Sequence, residues 1–141
     1  MEYRERYAQW LEKLPAEDPL RKELEGIRDN DEEIKERFYQ EIEFGTAGLR
    51  GIRGAGTNRM NRLTVGRATQ GIANYILKSD VDVMSGVVLA YDCRYFSKEF
   101  AELAAEIFAG NGIRAYLFPP IARHRSCPSR SGASRHWAAS I

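Results

Sequence analysis

No apolar run in the chain approaches the roughly 20 residues that a membrane span requires. The first residues, Met1-Glu2-Tyr3-Arg4-Glu5-Arg6, lack the basic-then-apolar order of a secretory leader. Only two cysteines occur, Cys93 and Cys127, and their spacing matches neither a disulfide framework nor a zinc site. There is no glycine or proline excess and no low-complexity tract, which excludes collagen-like and linker classes. These absences point to a cytoplasmic protein with no membrane partner. The most informative absence is local. Glu106 is the last acidic residue, and residues 107–141 carry five arginines (114, 123, 125, 130 and 135) against no acid. The preceding 106 residues hold 16 basic and 20 acidic side chains, so the net charge of +1 hides a change of sign along the chain.

What remains is the composition of a globular domain. With 43% apolar residues in 141, the chain can build a core of ordinary size. Residues 1–43 read as helical. Tyr3, Tyr7, Trp10, Leu11 and Leu14 recur at spacings of three and four, and Pro15 and Pro19 bracket a break. A second helix is expected after Asn30-Asp31, with Glu32 and Glu33 in its first turn and Ile34, Phe38 and Ile42 on its apolar side.

Residues 44–62 differ in kind, with five glycines, four arginines and no acid in 19 residues. Glycine lets backbone approach a ligand closely, and the planar guanidinium fork matches phosphate. Such a stretch can present N–H groups and cations to an anion, although surface turns use the same residues.

A strand–helix–strand pattern follows. Thr64 is placed to cap a helix to about Lys78 with Val65, Ala68, Ile72, Tyr75 and Ile76 on its apolar face. Val87–Tyr91 suits a strand buried on both sides. Ser97 is placed to cap a helix carrying Phe100, Leu103, Ala104, Ile107 and Phe108, which Gly110-Asn111-Gly112 ends. Ile113–Phe118 reads as the second strand. This is a βαβ unit, hence a parallel pairing covered by helices. Its first strand runs into Tyr91-Asp92-Cys93-Arg94-Tyr95-Phe96-Ser97, at the sheet edge where α/β folds gather ligands and where a helix N-terminus favours anions. An Asp-to-Ser turn of this kind is also ordinary capping chemistry.

Phe44-Gly45-Thr46-Ala47-Gly48-Leu49-Arg50-Gly51 resembles the opening signature of the α-D-phosphohexomutase family, in its bacterial phosphoglucomutase/phosphomannomutase branch. The resemblance continues through Asn58-Arg59-Met60-Asn61, the helix at 65–77 and Tyr91-Asp92-Cys93-Arg94 with its Ser97 helix. It covers residues 1 to about 120, less than the first of the family's four domains. It implies an α/β fold: an incomplete first domain at 44–120 with a mixed, mostly parallel sheet flanked by helices, preceded by N-terminal helices at 1–43. It also implies an isomerase of carbohydrate metabolism that interconverts hexose 1-phosphate and hexose 6-phosphate. In such enzymes a phosphoserine passes its phosphoryl group through a hexose 1,6-bisphosphate, with Mg2+ bridging the phosphoserine and an Asp-rich loop. By the same resemblance Thr46 and Arg50 line the active-site cleft and Arg94 lies nearby, beside Asp92. The substrate partner is a hexose phosphate; glucose versus mannose and the oligomeric state stay open.

The departure from that pattern is large. A Thr-Ala-Ser-His-Asn-Pro serine loop and an Asp-Gly-Asp-Gly-Asp-type metal loop occur nowhere in the sequence. The chain therefore offers no catalytic residue and no metal ligand of the family, and is expected to be inactive. The alternative from the residues is a small phosphosugar- or anion-binding module without catalysis. A nucleic-acid arm fits less well, since residues 121–141 carry four Arg and no Lys.

Residues 121–141 show no periodicity, no cap and no strand pattern, and read as a disordered tail outside the family. Relatives continue with something close to Arg-Pro-Thr-Pro-Glu-Leu-Ser-Phe-Ala-Val-Arg. A permitted codon string for Ile121–Gly132, read from its third base, spells those eleven residues. A shift of reading frame at about residue 120 accounts together for the lost acids, the Ser/Arg composition and the missing serine loop.

Overall fold

The computed structural model describes residues 2–46, 48–80, 82–119 and the backbone of 136–138. It divides into two compact units, residues 1–64 with the 136–138 segment, and residues from Val65 onward to 134.

In the first unit α1 spans Tyr3–Lys13, α2 Pro19–Gly26 and α3 Asp31–Phe38. The expected stripe of α1 is the one buried. Tyr7 and Leu14 join Leu24, Ile34, Phe38 and Ala55 in one core, with Tyr3, Trp10 and Leu11 against it. Phe38 is fully enclosed, and Tyr7 and Trp10 meet its ring edge-on at 5.8 and 5.6 Å, a favoured aromatic arrangement. Burial pushes the Tyr7 hydroxyl above its ordinary pKa, and that hydroxyl donates to the Leu24 carbonyl at 2.9 Å. Asn30 caps α3 as expected, accepting from Glu33 N–H at 3.2 Å. The break expected between Pro15 and Pro19 is instead followed at once by α2. Asp18 accepts from Leu20 N–H at 3.0 Å and Pro19 occupies the first helical position, where its missing N–H costs nothing.

Strand β1 (Phe44–Gly45) and β2 (Gly48–Ile52) form an antiparallel hairpin, pairing Phe44 with Leu49 and Gly45 with Gly48. The other edge of β2 pairs with β5 (His136–Ala138), Arg50 opposite Ala138 and Ile52 opposite His136. This corrects the expectation of no strand in 121–141. An open strand edge recruits any extended backbone through its N–H and C=O groups, without needing an alternating side-chain pattern. The remaining tail lies outside the described residues.

In the second unit, entered through α4 (Arg62–Lys78), the expected βαβ is present: β3 (Val87–Ala90), α5 (Ser97–Gly110) and β4 (Ala115–Phe118), the strands parallel with Val87 opposite Ala115. Ala73, Leu89, Ala104, Phe108 and Ile113 form its core, with Ile72 and Ile76 of α4 alongside. Gln70 and Asn111 clasp α4 to the end of α5 by two reciprocal hydrogen bonds between their side-chain amides, Gln70 Nε2 donating to Asn111 Oδ1 at 3.0 Å and Asn111 Nδ2 to Gln70 Oε1 at 2.9 Å. Asn111 ends α5 and Gly112 takes the left-handed turn, φ +75°, as the Gly-Asn-Gly stop requires.

Three expectations need correction. The buried line of α4 runs through Val65, Thr69 and Ala73, leaving Tyr75 exposed; Thr69 is tolerated inside because its hydroxyl donates to the Val65 carbonyl at 2.9 Å. The cap of α4 is Asn61 rather than Thr64. Its Oδ1 accepts from Leu63 and Thr64 N–H at 3.0 and 3.1 Å, and Thr64 Oγ1 accepts in return from Asn61 N–H at 3.0 Å, a reciprocal cap. Strand β3 is buried on one face only, since Val88 is 68% exposed. No helix among the described residues is long and apolar enough to cross a membrane.

Candidate functional site

The Gly/Arg stretch divides into two parts with different duties. Residues 53–61 are a packed loop whose ends meet: Arg53 bridges Met60, Met60 N–H donates to Ile52 O at 2.8 Å, and Gly54 N–H donates to Met60 O at 3.1 Å. Gly54, Ala55, Gly56, Thr57, Met60 and Asn61 are buried. Asn61 Nδ2 lies within reach of the carbonyls of Gly54, Gly56 and Arg59 at 2.9, 3.0 and 3.3 Å. One side chain thus braces the loop and starts α4.

Below the loop lies a buried cation. Arg37 donates to Glu23 at 2.5 Å, Glu33 at 2.6 Å and the Ala55 carbonyl at 3.1 Å, and Glu23 accepts from Ala55 N–H at 3.1 Å. Burial works against the charged guanidinium, but the two carboxylates outweigh it and raise its pKa. The glycines here serve this packing. A Cβ on Gly56 (φ +133°) would stand 2.7 Å from the Arg37 carbonyl oxygen, and one on Gly54 would stand 2.8 Å from the Glu23 carboxylate. Two of the arginines are likewise committed, Arg59 to Glu36 and Arg62 to Asp18.

Residues 44–50 are the opposite case. The hairpin turns through Thr46, with Gly48 at φ +93° closing it. Leu49 points into the core, and Arg50, one residue on, points outward, as strand alternation demands. Thr46 and Arg50 are exposed. Among the described residues no hydrogen bond or ion pair engages the Arg50 guanidinium. A hydroxyl and an uncommitted planar cation on a short, glycine-closed hairpin form an arrangement that can receive a phosphate.

Arg94 belongs to the second unit. It follows the carboxyl end of β3, where Asp92 Oδ1 accepts from Arg94 N–H at 3.0 Å and Oδ2 from Arg94 Nε at 2.5 Å. Ser97 does not cap α5; its Oγ accepts from Asp92 N–H at 3.1 Å and closes the turn from the other side. Partial burial pushes the Asp92 carboxyl up, and the backbone and side-chain bonds from Arg94 more than reverse this, leaving its pKa below the ordinary value. The cap position is Phe96, at φ +64°. That left-handed conformation is uncommon for a bulky residue and stores strain. Cys93 is disulfide-bonded, which the cysteine spacing does not announce.

Thr46 and Arg50 thus share one hairpin, whereas Arg94 stands on its own turn in the other unit. Arg37 and Asn61, neither of them among the expected site residues, are the ones that hold the loop beside the hairpin. Asn61 had a signal, a short polar side chain three residues before Thr64. Arg37 had none, because a helical arginine ordinarily reads as solvated. Among the described residues no cluster of three or more His, Cys, Asp or Glu side chains occurs.

Comparison with known proteins bears on this geometry. The family model for phosphoglucomutase/phosphomannomutase, α/β/α domain I, matches residues 41–140. Human phosphopentomutase is 41% identical over 125 residues, covering 81% of this chain and 20% of its own length. A Staphylococcus haemolyticus phosphoglucomutase is 44% identical over 80 residues, 57% of this chain and 14% of the relative. A Saccharomyces cerevisiae phosphoribomutase is 42% identical over 88 residues, 62% of this chain and 14% of the relative. The chain therefore spans a fifth or less of the length of these curated relatives. No solved structure matches.

Proposed function

The chain belongs to the phosphoglucomutase/phosphomannomutase family, and from that premise we propose that it supplies the phosphate-facing wall of a cytoplasmic phosphosugar mutase without performing the chemistry itself. The reaction served is interconversion of hexose 1-phosphate and hexose 6-phosphate through a phosphoserine and a bisphosphate, with Mg2+ in the complete site. Thr46 and Arg50 hold the phosphoryl group, and the family resemblance also makes Arg94, held by Asp92 on its own turn, a phosphate-facing cation. A phosphoryl group in transfer spreads negative charge over its oxygens, and oriented cations lower that barrier. The observation that carries the reading is Arg50: exposed, on a short hairpin, and without an ion-pair partner among the described residues. These 141 residues contain no serine loop or Asp-rich metal loop, so the nucleophile and metal ligands must come from elsewhere.

The test is a chimera in which residues 1–119 replace the matching segment of the S. haemolyticus phosphoglucomutase. Turnover of glucose 1-phosphate that falls about 100-fold in kcat/KM on Arg50→Ala, in line with loss of a donor to developing charge, supports the reading. An active chimera indifferent to Arg50→Ala contradicts it. Relatives named phosphopentomutase and phosphoribomutase favour a second reading, a pentose phosphate substrate; running the chimera on ribose 1-phosphate beside glucose 1-phosphate separates the two.

We further propose that residues 121–141 are the product of a shifted reading frame. The family model matches residues 41–140 as written, yet residues 121–141 carry no acid and lack the segment close to Arg-Pro-Thr-Pro-Glu-Leu-Ser-Phe-Ala-Val-Arg with which relatives continue. Nucleotide sequence across the codons for residues 118–141 decides this. Codons that do not yield the family segment in the shifted frame would refute it.

A further inference from the structure

The glycines of the hairpin and the loop beside it differ in what makes each of them necessary. The fold requires Gly51, Gly54 and Gly56: an added Cβ would stand 2.6 Å from the Ile42 side chain, 2.8 Å from the Glu23 carboxylate and 2.7 Å from the Arg37 carbonyl oxygen, respectively. Backbone geometry requires Gly48, at φ +93°. Neither reason applies to Gly45. Its φ is outside the left-handed region and its surface is exposed. Among the described residues a Cβ there would meet only the Gly48 carbonyl oxygen, at an ordinary contact distance of 3.5 Å. A glycine in a strand weakens it and gives up a packing side chain, and a frequent use of one there is to let a ligand or another backbone come close.

The surroundings of Gly45 say which of these it admits. The register sets Gly45 directly opposite Gly48, and Arg50 follows Gly48 by two residues. The three therefore share the outward face, while Leu49 on the other face enters the core. Alternate residues of a strand stand about 7 Å apart, within reach of an arginine side chain. The face is thus a strip of bare main chain with the Thr46 hydroxyl at its turn and, along β2, a guanidinium that no ion pair engages among the described residues. Resting on the phosphate reading of Arg50, we infer that Gly45 is a specificity-determining residue of that site, the position at which a bound phosphate monoester lies directly on the main chain. Without a Cβ the ligand sits low enough for the Thr46 hydroxyl and the Arg50 fork to reach it together. A methyl group at this position lifts it beyond hydrogen-bond distance of at least one of them.

The test titrates the whole 141-residue chain with glucose 1-phosphate and, separately, with inorganic phosphate, following amide and guanidinium shifts by NMR. Chemical denaturation of each variant accompanies the titrations. The parent is expected to bind saturably, and Gly45→Ala and Gly45→Val to weaken binding by about tenfold or more, in line with loss of a charge-assisted hydrogen bond. Their denaturation midpoints stay level or rise, because both residues restrict the unfolded chain and valine suits a strand. Gly71→Ala, on α4 with nothing within 4 Å of an added Cβ, leaves affinity unchanged. Weaker binding of both probes places the phosphoryl oxygens on Gly45, and weaker binding of glucose 1-phosphate alone places the sugar there; either supports the inference. Binding that Arg50→Ala abolishes but both Gly45 variants retain overturns the inference and leaves the phosphate reading standing. A fallen midpoint in both Gly45 variants also overturns it, since the glycine would then serve the fold. No saturable binding by the parent, or binding indifferent to Arg50→Ala, overturns the phosphate reading and the inference together.

Discussion

The two halves of the Gly/Arg stretch have nearly the same composition and opposite uses. Residues 53–61 turn their glycines and polar groups inward, onto Arg37, Glu23 and Asn61. Residues 44–50 turn Thr46 and Arg50 outward. Composition alone does not distinguish a loop that binds from a loop that is bound. The distinction lies in which polar groups are already satisfied; of the two halves, the hairpin is the one whose arginine, Arg50, has no ion-pair partner among the described residues.

Substitutions that interchange the two uses should separate them. The largest effect is expected at Gly56, where Gly56→Ala adds a Cβ 2.7 Å from a backbone oxygen at positive φ. Overpacking together with an unfavourable backbone should cost about 3–4 kcal/mol, read by chemical denaturation. Next is Arg37→Leu, which strips two carboxylates and the Ala55 carbonyl of their donor. Because both carboxylates are partly exposed, the loss should fall at the low end of a broken buried pair, about 3 kcal/mol. Asn61→Ala removes the α4 cap and the brace across the loop and should cost about 2 kcal/mol. In contrast Arg50→Ala, on the outward half, should change stability by no more than about 0.5 kcal/mol. A comparable loss at Arg50 would erase the division between the halves.

The smallest effect belongs to the second unit. The pKa of Asp92 is depressed in the folded chain, so the folded carboxylate is favoured. Its contribution is present above the ordinary carboxylate range near about 4, and is lost as pH falls through the lower folded value. A carboxyl carbon titration by NMR should place its midpoint below that of a free aspartate, and Asp92→Asn should remove this acid dependence.

The sequence made the local order legible where a strong pattern had a single structural solution. The α1 stripe, the Asn30 cap, the βαβ unit and the Gly-Asn-Gly stop all formed where their residues stood. Features set by long-range partners were not legible. Arg37 is read as a surface residue until Glu23 and the 53–61 loop are brought to it. Tyr75 fits a helical stripe as well as Thr69 does, and only the packed core decides between them. The exposure of Val88 was hidden for a related reason: its apolar run describes a strand with two covers, and one is not among the described elements. Of the candidate site, Thr46 and Arg50 fell on one hairpin, while Arg94 fell in a unit whose own turn, with Phe96 at φ +64°, no periodicity announces.

The central claim is that this chain carries one wall of a phosphosugar mutase site and none of its chemistry. The measurement that addresses it most directly is a coupled assay of the purified 141-residue chain with glucose 1-phosphate, glucose 1,6-bisphosphate and Mg2+. The account predicts glucose 6-phosphate formation at the rate without protein. Turnover above that rate, abolished by Arg50→Ala, would contradict it.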